Sequence, residues 1–484
     1  MNAYLLTQAP LIGAFAILLF IASIRYQKTE FLSNIISIAA LVGCAFTIWL
    51  VLPDEAEYFG GAIHITVLGK ALANVCLALT VGGLLLSEKY LEKVHVSAID
   101  WRMVVIALCM GMVNLCFAAD LATLFISYEL VSIPSYILAG FNHRDARSNE
   151  AGMKYLLLGV FASVLFLLGL SFIYGATGEI HLQAIRDHLA QATEEGLTSD
   201  LILAKVGMGF IIGAVFFKVA IAPLHSWLAD VYQGTNLASL AIISSPVKVA
   251  VFGMLGMLLW GPFEPLASVW KPIIIFGALC SALMGNFQAI LQTSLKRLIA
   301  FSAVVNGGFI LFGILLNSAS IVVFYLGSYG VMTLGSWAAM MAMGSKHADV
   351  DTLSDLTGLG RSRKGLALAL TIILLSYAGI PLTSGFAAKF GILLEAFRPD
   401  ADLPRFALCV LGISVVAGLV SFYFYFKIVR AMWIQKPLET TLQTQVQNQL
   451  QKTAGEMRWN YIFVLAISIV VILSLGMFIR LPGF

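Results

Sequence analysis

The chain has 484 residues, 60% hydrophobic and 11% charged, with a mean hydropathy of +0.92 and a formal net charge of +3. A soluble domain carries about 25% charged residues, so this composition excludes a water-soluble globular protein, and equally a disordered or disulfide-stapled one. The small net charge and the lack of a basic run exclude nucleic acid as a partner.

Taken in chain order, apolar runs long enough to cross a hydrocarbon core about 30 Å thick at 1.5 Å per residue fall at 5–24, 31–52, 71–87, 103–118, 121–141, 154–175, 201–222, 236–260, 271–291, 298–317, 320–343, 364–397, 405–434 and 459–481. The expected architecture is an all-α polytopic membrane protein with about 14 transmembrane helices. The first run lacks a basic leader and reads as a span, not a cleaved signal peptide. Asp120 stands where span 5 needs an N-cap. The stretch 179–200 has the pattern of an amphipathic surface helix, and the Gln-rich 440–458 reads as a linker or docking helix without chemistry. All six cysteines lie in apolar runs, read as small buried hydrophobes, and lack the spacing of metal or cluster ligands.

Loops after odd-numbered spans hold 19 Lys and Arg, the opposite side and the termini seven. The positive-inside rule then puts the odd loops in the cytoplasm and both termini outside. Lys296 and Arg297 read as anchors at a span border. Three of the 29 basic residues remain, Lys218, Lys248 and Lys389, each inside a span. No arginine is expected deep in any span, and Glu129 is the one carboxylate expected there.

A Lys or carboxylate at the bilayer centre costs roughly 2.5–3.5 kcal/mol even on lenient insertion scales. One glutamate cannot neutralise three lysines, so at least one amine must be neutral or hydrated. A carboxylate moving towards or away from a buried amine changes how tightly that amine holds its proton, and lysine, unlike arginine, can release it. A row of amines without an oxygen cluster suits a proton path better than a cage for a metal cation. The bland alternative is a static Glu129–Lys pair that locks helices together.

Proline frees backbone groups that then need protein or water around them. Ala222-Pro223-Leu224 breaks span 7 and Ile380-Pro381-Leu382 breaks span 12. Five spans separate the two, so they cross the membrane in opposite senses, and spans 4–8 and 9–13 read as two five-helix inverted repeats. One transmembrane domain is then organised as 1–102 (three N-terminal helices), 103–260 and 271–437 (the half-channel repeats) and 438–484 (linker and last helix). His225, just past Pro223, reads either as a proton gate or as a donor to freed carbonyls.

The stretches FISYELVSIPSYILAGF (125–141), EAGMKYLLLGVFAS (150–163), FKVAIAPLHSWLADVYQG (217–234), LKRLIAFSAVVNGGF (295–309) and LSYAGIPLTSGFAAKF (375–390) resemble the antiporter-like subunits of respiratory complex I. The resemblance covers about 100–430. It implies that Glu129 modulates the half-channel lysine Lys218, that Lys248 is the connecting lysine, and that Lys389 is the terminal one. Asn306 departs from the family pattern, which has histidine there. Gly234-Thr235-Asn236 replaces a proline-rich entry to span 8, and Leu382 replaces a second proline.

The function implied is a proton-translocating membrane-arm subunit of NADH:quinone oxidoreductase. It would carry no redox centre and no cofactor, with NADH, FMN, iron–sulfur clusters and quinone in partner subunits. Expected partners are a second antiporter-like subunit, small membrane subunits and lipids. A stand-alone cation/proton antiporter of the same fold is the alternative, and a passive scaffold a third.

Overall fold

The computed structural model describes residues 3–24, 30–344, 349–398, 405–435 and 459–477; the Gln-rich 440–458 lies outside them. Helices α1 (Ala3–Ile24) and α2 (Glu30–Leu50) lead into a short hairpin, β1 (Ala56–Tyr58) and β2 (Ile63–Ile65), paired antiparallel with Glu57 opposite His64. Then come α3 (Val67–Lys93), α4 (Ala98–Leu115), α5 (Leu121–Ala139) and α6 (Ala146–Thr177). The amphipathic stretch folds as α7 (Leu182–Glu195), burying Ile185, Leu189 and Ala192 on one face. Next are α8 (Thr198–Val219), α9 (Trp227–Gly234), α10 (Leu237–Ile243), α11 (Pro246–Trp260), α12 (Ala267–Ile290), α13 (Leu295–Leu315) and α14 (Ala319–Met343). The chain closes with α15 (Leu359–Ser362), α16 (Lys364–Ala378), α17 (Ser384–Ala396), α18 (Arg405–Trp433) and α19 (Trp459–Met477).

Thirteen candidate spans among the described residues are long and apolar enough to cross a membrane. The remaining expected span is split into α16 and α17, each too short to cross alone at 1.5 Å per residue. The protein is thus a multi-pass membrane protein. Helix α13 is enclosed along almost its whole length by the other helices, as a central helix is. Helices α1, α6 and α18 turn large apolar side chains such as Phe20, Phe161 and Leu419 outwards, as lipid-facing helices do.

Both expected breaks are present. Helix α8 ends with Ala220 in the left-handed conformation (φ 61°), and Ile221 N–H donates back to the Phe216 carbonyl at 2.8 Å. The freed Ala222 N–H is taken up by Ser281 Oγ of α12 at 3.0 Å, and the Ala222–Pro223 peptide is cis. Helix α16 ends in the same way, with Gly379 left-handed (φ 85°) and Ile380 N–H on the Leu375 carbonyl at 3.0 Å. Helix α17 restarts from Thr383, whose hydroxyl accepts from Phe386 N–H.

A third interruption was not expected. Span 8, read as continuous over 236–260, divides into α10 and α11 at Ser244–Ser245. Pro246 at the first position of α11 offers no N–H to the preceding turn. The exposed polar groups are held from neighbouring helices: Trp337 Nε1 donates to Ser244 Oγ at 2.8 Å, and Ser245 Oγ donates to the Gly330 carbonyl at 3.0 Å. Asp120 caps α5 as expected, accepting from Thr123 N–H at 2.6 Å. The cysteines divide: Cys44, Cys76, Cys109 and Cys116 are buried, but Cys280 is half-buried and Cys409 exposed, because each lies on the outer flank of its helix.

Candidate functional site

The three span lysines sit beside the helix breaks. Lys218 occupies the last turn of α8, Lys248 the first turn of α11, and Lys389 the second turn of α17. Lys218 and Lys248 are buried at 3% exposure, and neither ammonium has a hydrogen-bond acceptor among the described residues. Lys389 is half-buried and donates to the Tyr377 carbonyl at 2.7 Å. Glu129 is half-buried in mid-α5, with Oε1 buried and unpartnered, and lies within electrostatic reach of Lys218. The two make no ion pair within 4.0 Å, so the static pair entertained from the sequence is not formed.

Aromatic rings fill the place of counter-ions. Lys218 Nζ lies 4.5 Å from the ring centre of Tyr136, 5.3 Å from Tyr155 and 5.9 Å from Tyr128. Lys248 Nζ is 5.9 Å from both Tyr232 and Tyr329, and Lys389 Nζ is 4.9 Å from Phe309. A ring face attracts a cation through its quadrupole yet tolerates a neutral amine, so such a cage accommodates both protonation states.

The cages are linked. Tyr155 stacks on Trp227 at 4.5 Å, and Trp227 begins α9, which presents Tyr232 to Lys248. On the other flank, Tyr329 meets Tyr377 edge-on at 6.4 Å, and the Tyr377 hydroxyl shares a 2.9 Å hydrogen bond with Thr333 Oγ1. Tyr377 is the residue whose carbonyl holds Lys389. Asn306 lies alongside, donating to the Ser302 carbonyl at 2.8 Å and accepting from the Tyr325 hydroxyl at 3.1 Å, while Tyr425 bonds Ser302 and stacks on Tyr377. These tyrosines escaped the sequence reading, which tracked formal charge. Their signal was present, since a tyrosine hydroxyl deep in an apolar run needs a polar partner.

His225 is buried against Phe301, with Nε2 on Gln288 Oε1 at 2.7 Å and Nδ1 unpartnered among the described residues. Lys296 and Arg297 do more than anchor a border. Lys296 is buried and donates to the Thr235 carbonyl at 2.9 Å, and Arg297 holds Asp230 at 2.6 Å, so together they fix the link between α9 and α10.

Two further cations overturn the expected list of buried charges. Arg102 is fully buried in α4, with Nη1 on the Glu30 carbonyl at 2.8 Å and on Ser33 Oγ. Lys70 is buried in α3, paired with Asp54 at 2.8 Å and donating to the Leu52 carbonyl at 2.7 Å. Helices α3 and α4 both begin four or five residues ahead of their apolar runs, which draws these cations from loops into helix ends. Lys70 keeps its partners and Arg102 keeps them at Nη1, with its Nε and Nη2 buried and without one among the described residues, whereas the Lys218 and Lys248 amines have none.

Fold and site define a multi-pass helical membrane protein whose interior carries ionisable groups on discontinuous helices. Residues 118–414 match the family described as NADH:quinone oxidoreductase/Mrp antiporter, TM. The NADH-quinone oxidoreductase subunit N 1 of Rhizobium meliloti (strain 1021) is 32% identical over 85% of this chain and 82% of its own. That of Herpetosiphon aurantiacus is 36% identical over 82% of this chain and 81% of its own. Among solved structures, a chain of respiratory complex I from Thermus thermophilus superposes with a TM-score of 0.74 at 24% identity, covering 96% of this chain and 97% of that one. A chain of the Mrp complex from Dietzia sp. DQ12-45-1b reaches 0.79 at 19% identity, covering 99% and 95%; these two likenesses establish the fold. The chain belongs to the NADH:quinone oxidoreductase/Mrp antiporter membrane family, in the group of NADH-quinone oxidoreductase subunit N.

Proposed function

We propose that the chain is a proton-translocating membrane-arm subunit of an NADH:quinone oxidoreductase, with Glu129, Lys218, Lys248 and Lys389 as its proton relay and His225 at the first break. The observation that carries this reading is the unpartnered state of the Lys218 and Lys248 ammonium groups inside tyrosine cages. A charge that merely pins helices keeps its partners, as Lys70 does with Asp54 and the Leu52 carbonyl. A group that must gain and lose a proton is better served by a site that fits both forms.

Moving one charge against 100 mV requires about 2.3 kcal/mol. Making or breaking one contact to a charged group is worth about 1.5–3 kcal/mol, so a shift of Glu129 relative to Lys218 supplies a swing of the right size. The proton on Lys218 then passes through water along Tyr155 and Tyr232 towards Lys248, and past Tyr329 and Tyr377 to Lys389. Trp227, whose indole N–H only donates and is held by the Phe217 carbonyl, packs the path without carrying the proton. Electron transfer, with NADH, FMN, iron–sulfur clusters and quinone, takes place in partner subunits, and this chain needs no cofactor. Its neighbours are a second antiporter-like subunit and small membrane subunits.

The matching terminations of α8 and α16 support two inverted five-helix repeats over 103–260 and 271–437, flanked by 1–102 and 438–484. The left-handed residue precedes the proline by three positions at Pro223 and by two at Pro381, so the repeats differ where their lysines differ. The distribution of Lys and Arg supports termini on the periplasmic side of the inner membrane. Lys218→Ala in the assembled complex tests the relay. NADH-driven proton uptake into inverted vesicles is expected to be lost, and undiminished uptake with normal quinone reduction would remove the lysine from the path.

A further inference from the structure

The last helix, α19, buries one stripe and exposes another. Tyr461, Leu465, Ser468, Ile472 and Gly476 recur every three or four residues on the buried face, while Phe463, Ile467, Val470 and Met477 face outwards. The buried stripe is seated at two levels. A Cβ on Gly335 of α14 would lie 3.1 Å from the Ser468 Cβ. At the far end, Gly476 meets the connection between α16 and α17. A Cβ there would lie 2.4 Å from the Leu382 carbonyl oxygen and 2.6 Å from the Thr383 carbonyl carbon. Backbone packs on backbone at this point, and only glycine leaves room for it.

The segment that Gly476 touches is strained. Leu382 is in the left-handed region (φ 72°), where a Cβ crowds the following carbonyl oxygen. Its own side chain does not hold it there, being 63% exposed. The turn is held from its backbone instead. The Thr383 hydroxyl donates to the Ile380 carbonyl at 2.6 Å, spanning Pro381 and Leu382. Gly385 N–H donates to Ser376 Oγ at 3.1 Å, and Gly476 walls in the Leu382 carbonyl.

Lys389 belongs to the same unit. It lies in the second turn of α17 and reaches back across the break, its Cδ passing 3.2 Å from where a Cβ on Gly379 would stand. Its Nζ there donates to the Tyr377 carbonyl at 2.7 Å. The start of α17 follows directly on the 382–383 peptide, so a displacement of that peptide shifts the amine relative to the carbonyl that holds it.

We infer that Gly476 is a positioning residue for Lys389: the last helix clamps the turn at Leu382 and so fixes the seat of the terminal lysine. The inference rests on the relay proposed above. It gives α19, which carries no charged residue, a task in proton transfer.

The test uses the whole complex in inverted vesicles and reads NADH-driven proton uptake per assembled complex, with assembly measured separately on a native gel. A merely structural glycine alters the amount of complex and leaves uptake per complex unchanged. Gly476→Ala drives a methyl into the Leu382 carbonyl and should cut uptake per complex at least threefold. Leu382→Gly alone should pump as the parent does. Glycine at 382 opens both signs of φ, so the 382–383 peptide can rotate away from the new methyl. The double variant Gly476→Ala with Leu382→Gly should therefore return to within twofold of the parent. If Gly476→Ala alone does not assemble, the double variant still decides, since it should both assemble and pump. Parental uptake per complex in Gly476→Ala, or a double variant that fails to recover, would overturn the clamp. Lys389→Ala, measured in parallel, separates the two ideas. If it loses uptake while Gly476→Ala pumps normally, only the clamp fails; if Lys389→Ala pumps normally, the relay fails.

Discussion

Lys389 of α17 donates a 2.7 Å hydrogen bond to the carbonyl of Tyr377 in the last turn of α16, so the cation of one half of the broken span caps the other half. Carbonyls in a last helical turn have no donor within their own helix, and the helix dipole favours positive charge there. The protonation of Lys389 and the geometry of the break are thereby coupled.

Lys389→Ala and Lys389→Arg separate those two roles. Losing a hydrogen bond to a charged group costs about 1.5–3 kcal/mol, so Lys389→Ala should lower the thermal stability of the complex and reduce proton uptake at least tenfold. Arginine can still reach the carbonyl but does not deprotonate. Lys389→Arg should therefore keep most of the stability and still fail to pump. Thermal denaturation of the purified complex, paired with uptake in vesicles, reads both.

Gly385 stands where α17 crosses the end of α16, and a Cβ there would lie 1.9 Å from the Ser376 carbonyl oxygen. Forcing atoms into a packed site costs typically about 1–3 kcal/mol and sometimes more. Gly385→Ala should sharply reduce the amount of assembled complex on a native gel. Gly412→Ala, with nothing within 4 Å of the new methyl, should assemble as the parent does.

Asn306 links the Ser302 carbonyl to the Tyr325 hydroxyl. Asn306→Leu leaves the buried tyrosine unpaired, at about 1–3 kcal/mol. Asn306→His retains an acceptor for Tyr325 and adds a group that titrates between about pH 5 and 8. The histidine variant should keep the parent stability and give proton uptake a pH dependence across that range that differs from the parent's. Identical pH profiles would show that this position stands apart from the path.

Asp120→Ala removes the hydroxyl-free cap of α5, the helix that carries both Glu129 and Tyr136. Loss of a side-chain N-cap costs about 0.5–2 kcal/mol, which should appear as a lower unfolding midpoint of the complex. Asp120→Asn, which keeps an oxygen acceptor, should lose much less.

The spans were legible because a bilayer selects for apolar length, and helix bounds departed from the apolar runs by only a few residues except where polar ends extended them. That extension is why Lys70 and Arg102, assigned to loops, turned out buried in helix ends. The breaks at Pro223 and Pro381 were legible from the local pattern the two share and not from proline alone, since Pro10, Pro134 and Pro272 stand inside continuous helices. The break at Ser244–Ser245 was not, since Pro246 reads equally well as the first residue of a continuing span until its neighbours are known.

By itself the sequence determined the all-helical membrane class, the positions of its spans and the presence of Glu129, Lys218, Lys248 and Lys389 within them, though not the burial of Lys70 and Arg102. Each of these follows from a free-energy cost that acts on one residue or one run of residues, whatever its neighbours. Only the tertiary structure decided that Glu129 and Lys218 stay out of contact and that tyrosines surround Lys218 and Lys248. Those relations depend on which helix faces meet, and residues as far apart as Tyr136 and Lys218, or Tyr329 and Tyr377, are brought together by packing that no local pattern records.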